Sequence, residues 1–227
     1  QIYRNFADRY DALVRREDYE SHLLPAVLKI IDLSGMDVIE LGAGTGRLTG
    51  LLAPLAGRLI ATDLSLHMLS YGKELLGALS RDNLFFNLAA HPALPFPNNT
   101  ADVVISGWSF CYAAIDAGDR WQAALEDALA EVARVLRPGG HLILIESLGT
   151  GFTEPNTPPV LVKYLGFLDN HGFQSTWIRT DYCFSDKLEA KDLTQFFFGE
   201  DPMPMWETAE GVIVPECTGL WWHRFGS

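Results

Sequence analysis

Short apolar runs rich in β-branched side chains alternate with longer stretches in which apolar positions return every three or four residues. The short runs fall at 38–41, 58–62, 84–88, 102–106 and 141–146, and the helical stretches at 47–56, 65–79 and 121–136. This alternation predicts βαβ units and hence a parallel sheet covered by helices on both faces. In the third helical stretch Leu125, Leu129, Val132 and Leu136 share one face, and Pro138-Gly139-Gly140 predicts its end. Residues 18–33 predict an amphipathic helix with Leu23, Leu24, Val27, Leu28 and Ile31 turned inward and Pro25 near its start. After Glu146 the rhythm changes. A Gly/Thr/Pro-rich loop over 149–159 leads to a helix over 160–171, a strand-like run over 173–184, a helix over 186–198 and an aromatic strand over 220–225.

Size and composition agree with one folded domain: 227 residues, 48% hydrophobic and 20% charged. A formal net charge of −12 with no basic run argues against a duplex nucleic-acid partner, whose phosphates draw affinity from clustered Lys and Arg. No stretch approaches the ~18 apolar residues of a membrane span, and the polar opening QIYRNFADRYD is unlike a signal peptide, so a cytoplasmic protein is expected. Cys111, Cys183 and Cys217 form no CxxC pair, and the six histidines never fall at metal-ligand spacing, so no metal is expected.

The strongest chemical signal is Val38-Ile39-Glu40-Leu41-Gly42-Ala43-Gly44-Thr45-Gly46, an apolar strand running into a glycine-rich turn and then a helix. Glycines let the backbone turn sharply and approach a ligand at the carboxyl end of the strand. Asp63 closes the next strand, placed to accept hydrogen bonds from both hydroxyls of a ribose. The spacing is GxGxG rather than the GxGxxG of dinucleotide sites, and Glu40 stands two residues before the first glycine. A carboxylate there would repel a pyrophosphate but suits a cationic sulfonium ligand bearing an amino group.

In order along the chain, VIELGAGTGRLT, ATDLS, LPFPNNTADVVISG and EVARVLRPGGHLILIE resemble the successive motifs of the class I S-adenosylmethionine-dependent methyltransferases. The likeness is greatest to the small-molecule branch that includes quinone-biosynthesis C-methyltransferases. It implies a Rossmann-like, seven-stranded, mostly parallel sheet with helices on both faces and an antiparallel last strand. It also implies S-adenosylmethionine as cofactor and S-adenosylhomocysteine as product. The organisation expected is a single domain, with N-terminal cap helices over 1–35, a cofactor-binding core over 36–147, and sheet completion over 148–227. An acceptor-side insertion is expected at 185–215.

Carried over by motif, Gly42, Ala43, Gly44, Thr45 and Gly46 become the cradle for the methionine portion, with Glu40 beside it. Asp63 becomes the ribose acceptor, with Ser65 next to it, and Leu64 and Met68 flank the adenine. Where the family usually places an Asp before LPF, this chain has Leu88-Ala89-Ala90-His91, so adenine would be held by backbone groups around Ala90 or by His91. Gly107 and Trp108 would line the floor after the fourth strand, Trp108 serving there or simply as core. Phe6-Ala7-Asp8-Arg9-Tyr10-Asp11 resembles the family's FAxxYD opening segment, which nominates Tyr10 and, more weakly, Tyr3 to close over the donor.

Methyl transfer from a sulfonium is an in-line displacement that positioning alone can serve, so no catalytic base is assigned. Glu146 and His171 are the polar residues to test, against the plainer readings of a solvated strand end and a surface residue. Cys111 reads as a buried thiol rather than a nucleophile. SGWS stands where adenine- and glutamine-directed enzymes carry (N/D)PP(Y/F), which argues against a base-flipping enzyme. The acceptor expected is a small, apolar or aromatic molecule, and the protein a monomer or homodimer. The alternatives are an S-adenosylmethionine-binding protein without turnover and a nicotinamide-dependent oxidoreductase.

Overall fold

The computed structural model describes residues 5–77, 82–199 and 203–226. Helices α1 (Ala7–Val14) and α2 (Leu23–Ile30) precede a run of strands and helices: β1 (Asp37–Leu41), α3 (Arg47–Leu52), β2 (Arg58–Asp63), α4 (Leu66–Gly77), β3 (Leu84–Leu88) and β4 (Ala101–Gly107). Then follow α5 (Tyr112–Ile115), α6 (Trp121–Val135), β5 (Leu136–Thr150), α7 (Val162–Asn170), β6 (Gln174–Arg179) and β7 (Tyr182–Phe184). The chain finishes with α8 (Lys187–Phe198), β8 (Trp206–Glu207), β9 (Val212–Val214) and β10 (Glu216–Arg224).

Seven strands form one sheet in the order β3-β2-β1-β4-β5-β10-β6. The strands from β3 to β5 pair in parallel, and β10 runs antiparallel to both β5 and β6. Because side chains alternate across a strand, each central strand feeds two cores. Ile39, Leu41, Val104, Leu142 and Leu144 meet Leu125 and Val132 of α6 and Leu165 and Leu168 of α7. Val38, Leu59, Val103, Ile105, Ile143 and Ile145 meet Leu23 and Val27 of α2 and Leu48 and Leu52 of α3. No helix among the described residues is long and apolar enough to cross a membrane.

Several expected boundaries move, each for a local reason. The helix expected over 18–33 is confined to Leu23–Ile30: Asp18 sits at φ 60° and its carboxylate accepts the backbone N–H groups of His22 and Leu23 at 2.8 and 3.0 Å, capping the helix start. The helix expected over 47–56 is regular only to Leu52. The third helix stops at Val135, because Leu136 is already extended and Pro138-Gly139-Gly140 lies inside β5. The end of the helix expected over 65–79 lies outside the described residues.

The run 173–184 divides at Thr180-Asp181 into β6 of the large sheet and β7 of a second, three-stranded sheet with β9 and β8. Asp181 accepts the Arg179 guanidinium through both oxygens at 2.8 and 2.6 Å and the Glu216 backbone N–H at 3.0 Å, which fixes the change of direction. A third small core joins Leu13 of α1, Ala190 and Leu193 of α8, and Tyr182, Phe184, Val212 and Val214 of the small sheet. Helix α1 thus packs with α8 and the small sheet.

Candidate functional site

The glycine turn forms as its residue types dictate. Gly42, Gly44 and Gly46 have φ of 72°, 58° and 90°, values that side-chain-bearing residues rarely adopt. A Cβ on Gly42 would lie 1.9 Å from Ser109 Oγ, whereas one on Gly44 would meet nothing closer than Met68 and Tyr10 at 3.8 Å. The turn is packed on one side and open on the other. Gly42→Ala is expected to cost about 1–3 kcal/mol through strain alone, visible as a lowered midpoint in thermal denaturation, with Ser109 displaced; an unchanged midpoint would refute that packing.

Asp63, at the end of β2, braces this turn. Its carboxylate accepts Gly44 N–H at 2.8 Å and Ser65 N–H at 2.7 Å, and burial raises its pKa above the ordinary carboxylate value. Met68 is buried, and Leu64, next to Asp63 in the chain, is 75% exposed. Ala90 closes an isolated bridge to Ala93. His91 faces back towards the turn, its Nε2 3.2 Å from Ser109 Oγ and its ring stacked on Phe110; burial lowers its pKa to about 4, so it is neutral at pH 7.

Beside the turn lies a cavity of about 600 Å³, lined by Tyr10, Glu40, Gly42, Ala43, Thr45, Gly107 and Trp108. Its other walls come from Leu13 and Val14 of α1, from Cys111, Tyr112 and Ile115, from β5 and the loop after it, and from Phe197, Phe198 and Met203. Of the expected site residues, Gly44, Gly46, Asp63, Leu64, Ser65, Met68, Ala90 and His91 are not part of the lining of this cavity. Tyr3 lies outside the described residues.

The cavity is polar at a few buried points. Glu40 is 1% exposed and accepts Thr49 Oγ1 at 2.6 Å; burial pushes its pKa up to about 7. Glu146 is not a solvated strand end: it is buried inside β5, accepts Cys111 N–H at 3.2 Å and is likewise pushed up to about 7 by burial. Cys111 is buried, and burial raises its thiol pKa strongly, which holds it protonated. His171 takes no part, its ring stacked on Phe167 and its Nδ1 2.7 Å from the Phe167 carbonyl.

Sequence reasoning missed a buried web on the α1 side. Arg47 pairs with Glu17, bonds the Val14 carbonyl at 3.2 Å and lies over the Trp108 ring at 4.1 Å. Trp108 itself sits at φ 52°, so it both lines the cavity and carries this guanidinium. Tyr182 donates to Glu17 at 3.1 Å, and the Thr180 hydroxyl, 3.4 Å from Glu17, is 2.5 Å from that of Thr218. Thr45 Oγ1, Arg47 Nη2 and Glu216 Oε2 are buried without any hydrogen-bond partner, which costs stability unless a ligand supplies one.

A family model described as a methyltransferase domain matches residues 39–144. A phosphoethanolamine N-methyltransferase of Triticum aestivum is 33% identical over 136 residues, 59% of this chain and 26% of that protein. A ubiquinone/menaquinone biosynthesis C-methyltransferase of Cronobacter sakazakii is 31% identical over 172 residues, 72% of this chain and 62% of that protein. The chain thus spans between 26% and 62% of the length of these relatives. In fold it matches an S-adenosylmethionine-dependent methyltransferase from Aquifex aeolicus, with a TM-score of 0.55 at 19% identity over 90% of this chain and 93% of the other. It also matches the [4+2]-cyclase SpnF, with a TM-score of 0.57 at 18% identity over 90% and 80%, so fold alone does not name the reaction. Ordered motifs, sheet topology, braced glycine turn and matched domain agree: the chain carries a methyltransferase domain over residues 39–144 and resembles the class I S-adenosylmethionine-dependent methyltransferases, quinone-biosynthesis members among them.

Proposed function

We propose that the protein transfers a methyl group from S-adenosylmethionine to a small, mainly apolar acceptor held in the cavity beside the glycine turn. The observation that carries this reading is the continuity of the two: Gly42, Ala43 and Thr45 of the turn form part of the wall of a cavity lined mostly by apolar and aromatic side chains. The residues fit the donor. The turn leaves room between Tyr10 and Met68, Glu40 suits an ammonium, and the unpartnered Thr45 Oγ1 and Arg47 Nη2 suit a carboxylate. Asp63 would take the ribose hydroxyls, Leu64 and Met68 would flank adenine, and Ala90 and His91 would border it.

When bound, S-adenosylmethionine supplies a methyl group on a cationic sulfur, open to in-line attack. The chain's part is to orient and to exclude water. Tyr10 and Trp108 bound the donor end, while Leu13, Val14, Leu48, Ile115 and Leu161 desolvate the acceptor end. We read α1, α8 and the small sheet as the acceptor-side cap. A nicotinamide enzyme is disfavoured by Glu40, and loss of turnover by the cavity itself.

Isothermal titration with S-adenosylmethionine, S-adenosylhomocysteine and NADH tests the reading; binding of NADH alone would overturn it. The same titrations carry a pH prediction. Glu40, with its pKa raised to about 7 by burial, is protonated below that value, and holding an ammonium requires it ionised. Affinity for S-adenosylhomocysteine is therefore expected to fall towards tenfold per unit as pH drops below about 7, and to level off above it. Buffers of different ionisation enthalpy should register the proton released; a flat profile without proton release would remove Glu40 from the ammonium site.

A further inference from the structure

One buried polar atom of the cavity is left unused by the donor. Glu216 opens β10, is 1% exposed and lines the cavity. Ser147 Oγ donates to its Oε1 at 2.6 Å, and the Asp181 carboxylate accepts its backbone N–H at 3.0 Å. The side chain is thereby fixed, yet Oε2 is buried without a hydrogen-bond partner. Glu40 and Glu146 are engaged by Thr49 and by the Cys111 backbone. Among the described residues Glu216 carries the only buried carboxylate oxygen without a hydrogen-bond partner, and such an atom on a residue that lines a cavity points to a proton donor on the ligand.

We propose that Glu216 receives a hydroxyl of the methyl acceptor and takes its proton, so that the reaction is an O-methylation; this rests on the methyltransferase reading above. One free oxygen matches a group with one proton to give. A primary amine, the nucleophilic form of a nitrogen acceptor, would bring two N–H donors to the one carboxylate oxygen left free here. In the step, the acceptor oxygen forms its bond to the methyl carbon as the carbon–sulfur bond breaks. The electron pair of that bond stays on sulfur, giving a neutral thioether, and the hydroxyl proton passes to Glu216 Oε2. Burial, and after it the nearby Glu17 carboxylate, raise the pKa of Glu216 above the ordinary carboxylate value, which increases its affinity for a proton.

The test is calorimetric binding of 4-nitrophenol and of 4-nitroanisole, its O-methyl ether, to the protein saturated with S-adenosylhomocysteine. The phenol is expected to bind about tenfold more tightly, the worth of one charge-assisted hydrogen bond. In Glu216→Gln the two probes should come within about threefold of each other, with S-adenosylhomocysteine binding retained. Equal binding of the probes by the native protein, no binding of the phenol, or a preference that survives in the variant overturns the assignment. The native comparison needs no variant, so it stands even where Glu216→Gln fails to fold. Failure of S-adenosylhomocysteine to bind the native protein would strike the methyltransferase reading instead.

Discussion

Asp63→Ala is expected to lower affinity for S-adenosylmethionine and S-adenosylhomocysteine by roughly 100-fold, about 3 kcal/mol at 1.4 kcal/mol per decade. Two contributions make the effect large. In the proposed reading the carboxylate would accept two ribose hydroxyls, each charge-assisted contact being worth about 1.5–3 kcal/mol. It also holds the turn itself, through the N–H groups of Gly44 and Ser65. Asp63→Asn separates the two contributions, because the amide oxygen can still accept one N–H while the charge is lost. Calorimetry on the three proteins, with circular dichroism to show that the fold persists, measures both. An unchanged affinity in Asp63→Ala would place the adenosyl group elsewhere.

The second large effect is on stability. Arg47→Met is expected to destabilise the protein by about 3–5 kcal/mol, since it strands the Glu17 carboxylate in a site that is nearly closed to water. For a domain of this size that corresponds to a fall in Tm of about 6–20 °C. The double variant Glu17→Met with Arg47→Met removes both charges and should recover most of the loss, as replacement of a buried ion pair by apolar side chains commonly does. Thermal denaturation of the four proteins closes the cycle. A double variant no more stable than Arg47→Met would mean that the guanidinium acts through Trp108 and the Val14 carbonyl, not through Glu17.

The central strands and the glycine turn were legible because their signals are local. A buried strand such as 101–107 is built around an apolar run, Val103-Val104-Ile105, and a backbone at φ 72° at position 42 all but demands glycine. The helix start near Leu23 was misplaced because Asp18 caps it from a left-handed position that no periodicity reveals. Residues 203–214 resisted reading because β8 spans only Trp206–Glu207 and β9 only Val212–Val214, too short for alternation to register. The polar web was missed for a different reason. Glu17, Arg47 and Tyr182 meet across separations of 30 and 165 residues, and nothing near any one of them in sequence announces the others. Glu216 did leave a trace, as a lone charge among apolar neighbours from Val212 to Trp222. Charged residues are rarely buried without a task.

The place of β10 between β5 and β6 also bears on how the chain is made. Synthesis delivers β6 well before β10, the one neighbour that β6 has in the sheet, so for that interval β6 has no partner and β5 presents a bare edge. Strand edges left open in this way are where nascent chains stick to one another. During that interval the glycine turn can be complete while the sheet is still in two pieces, and the arrival of β10 joins them and brings Glu216 to its cavity.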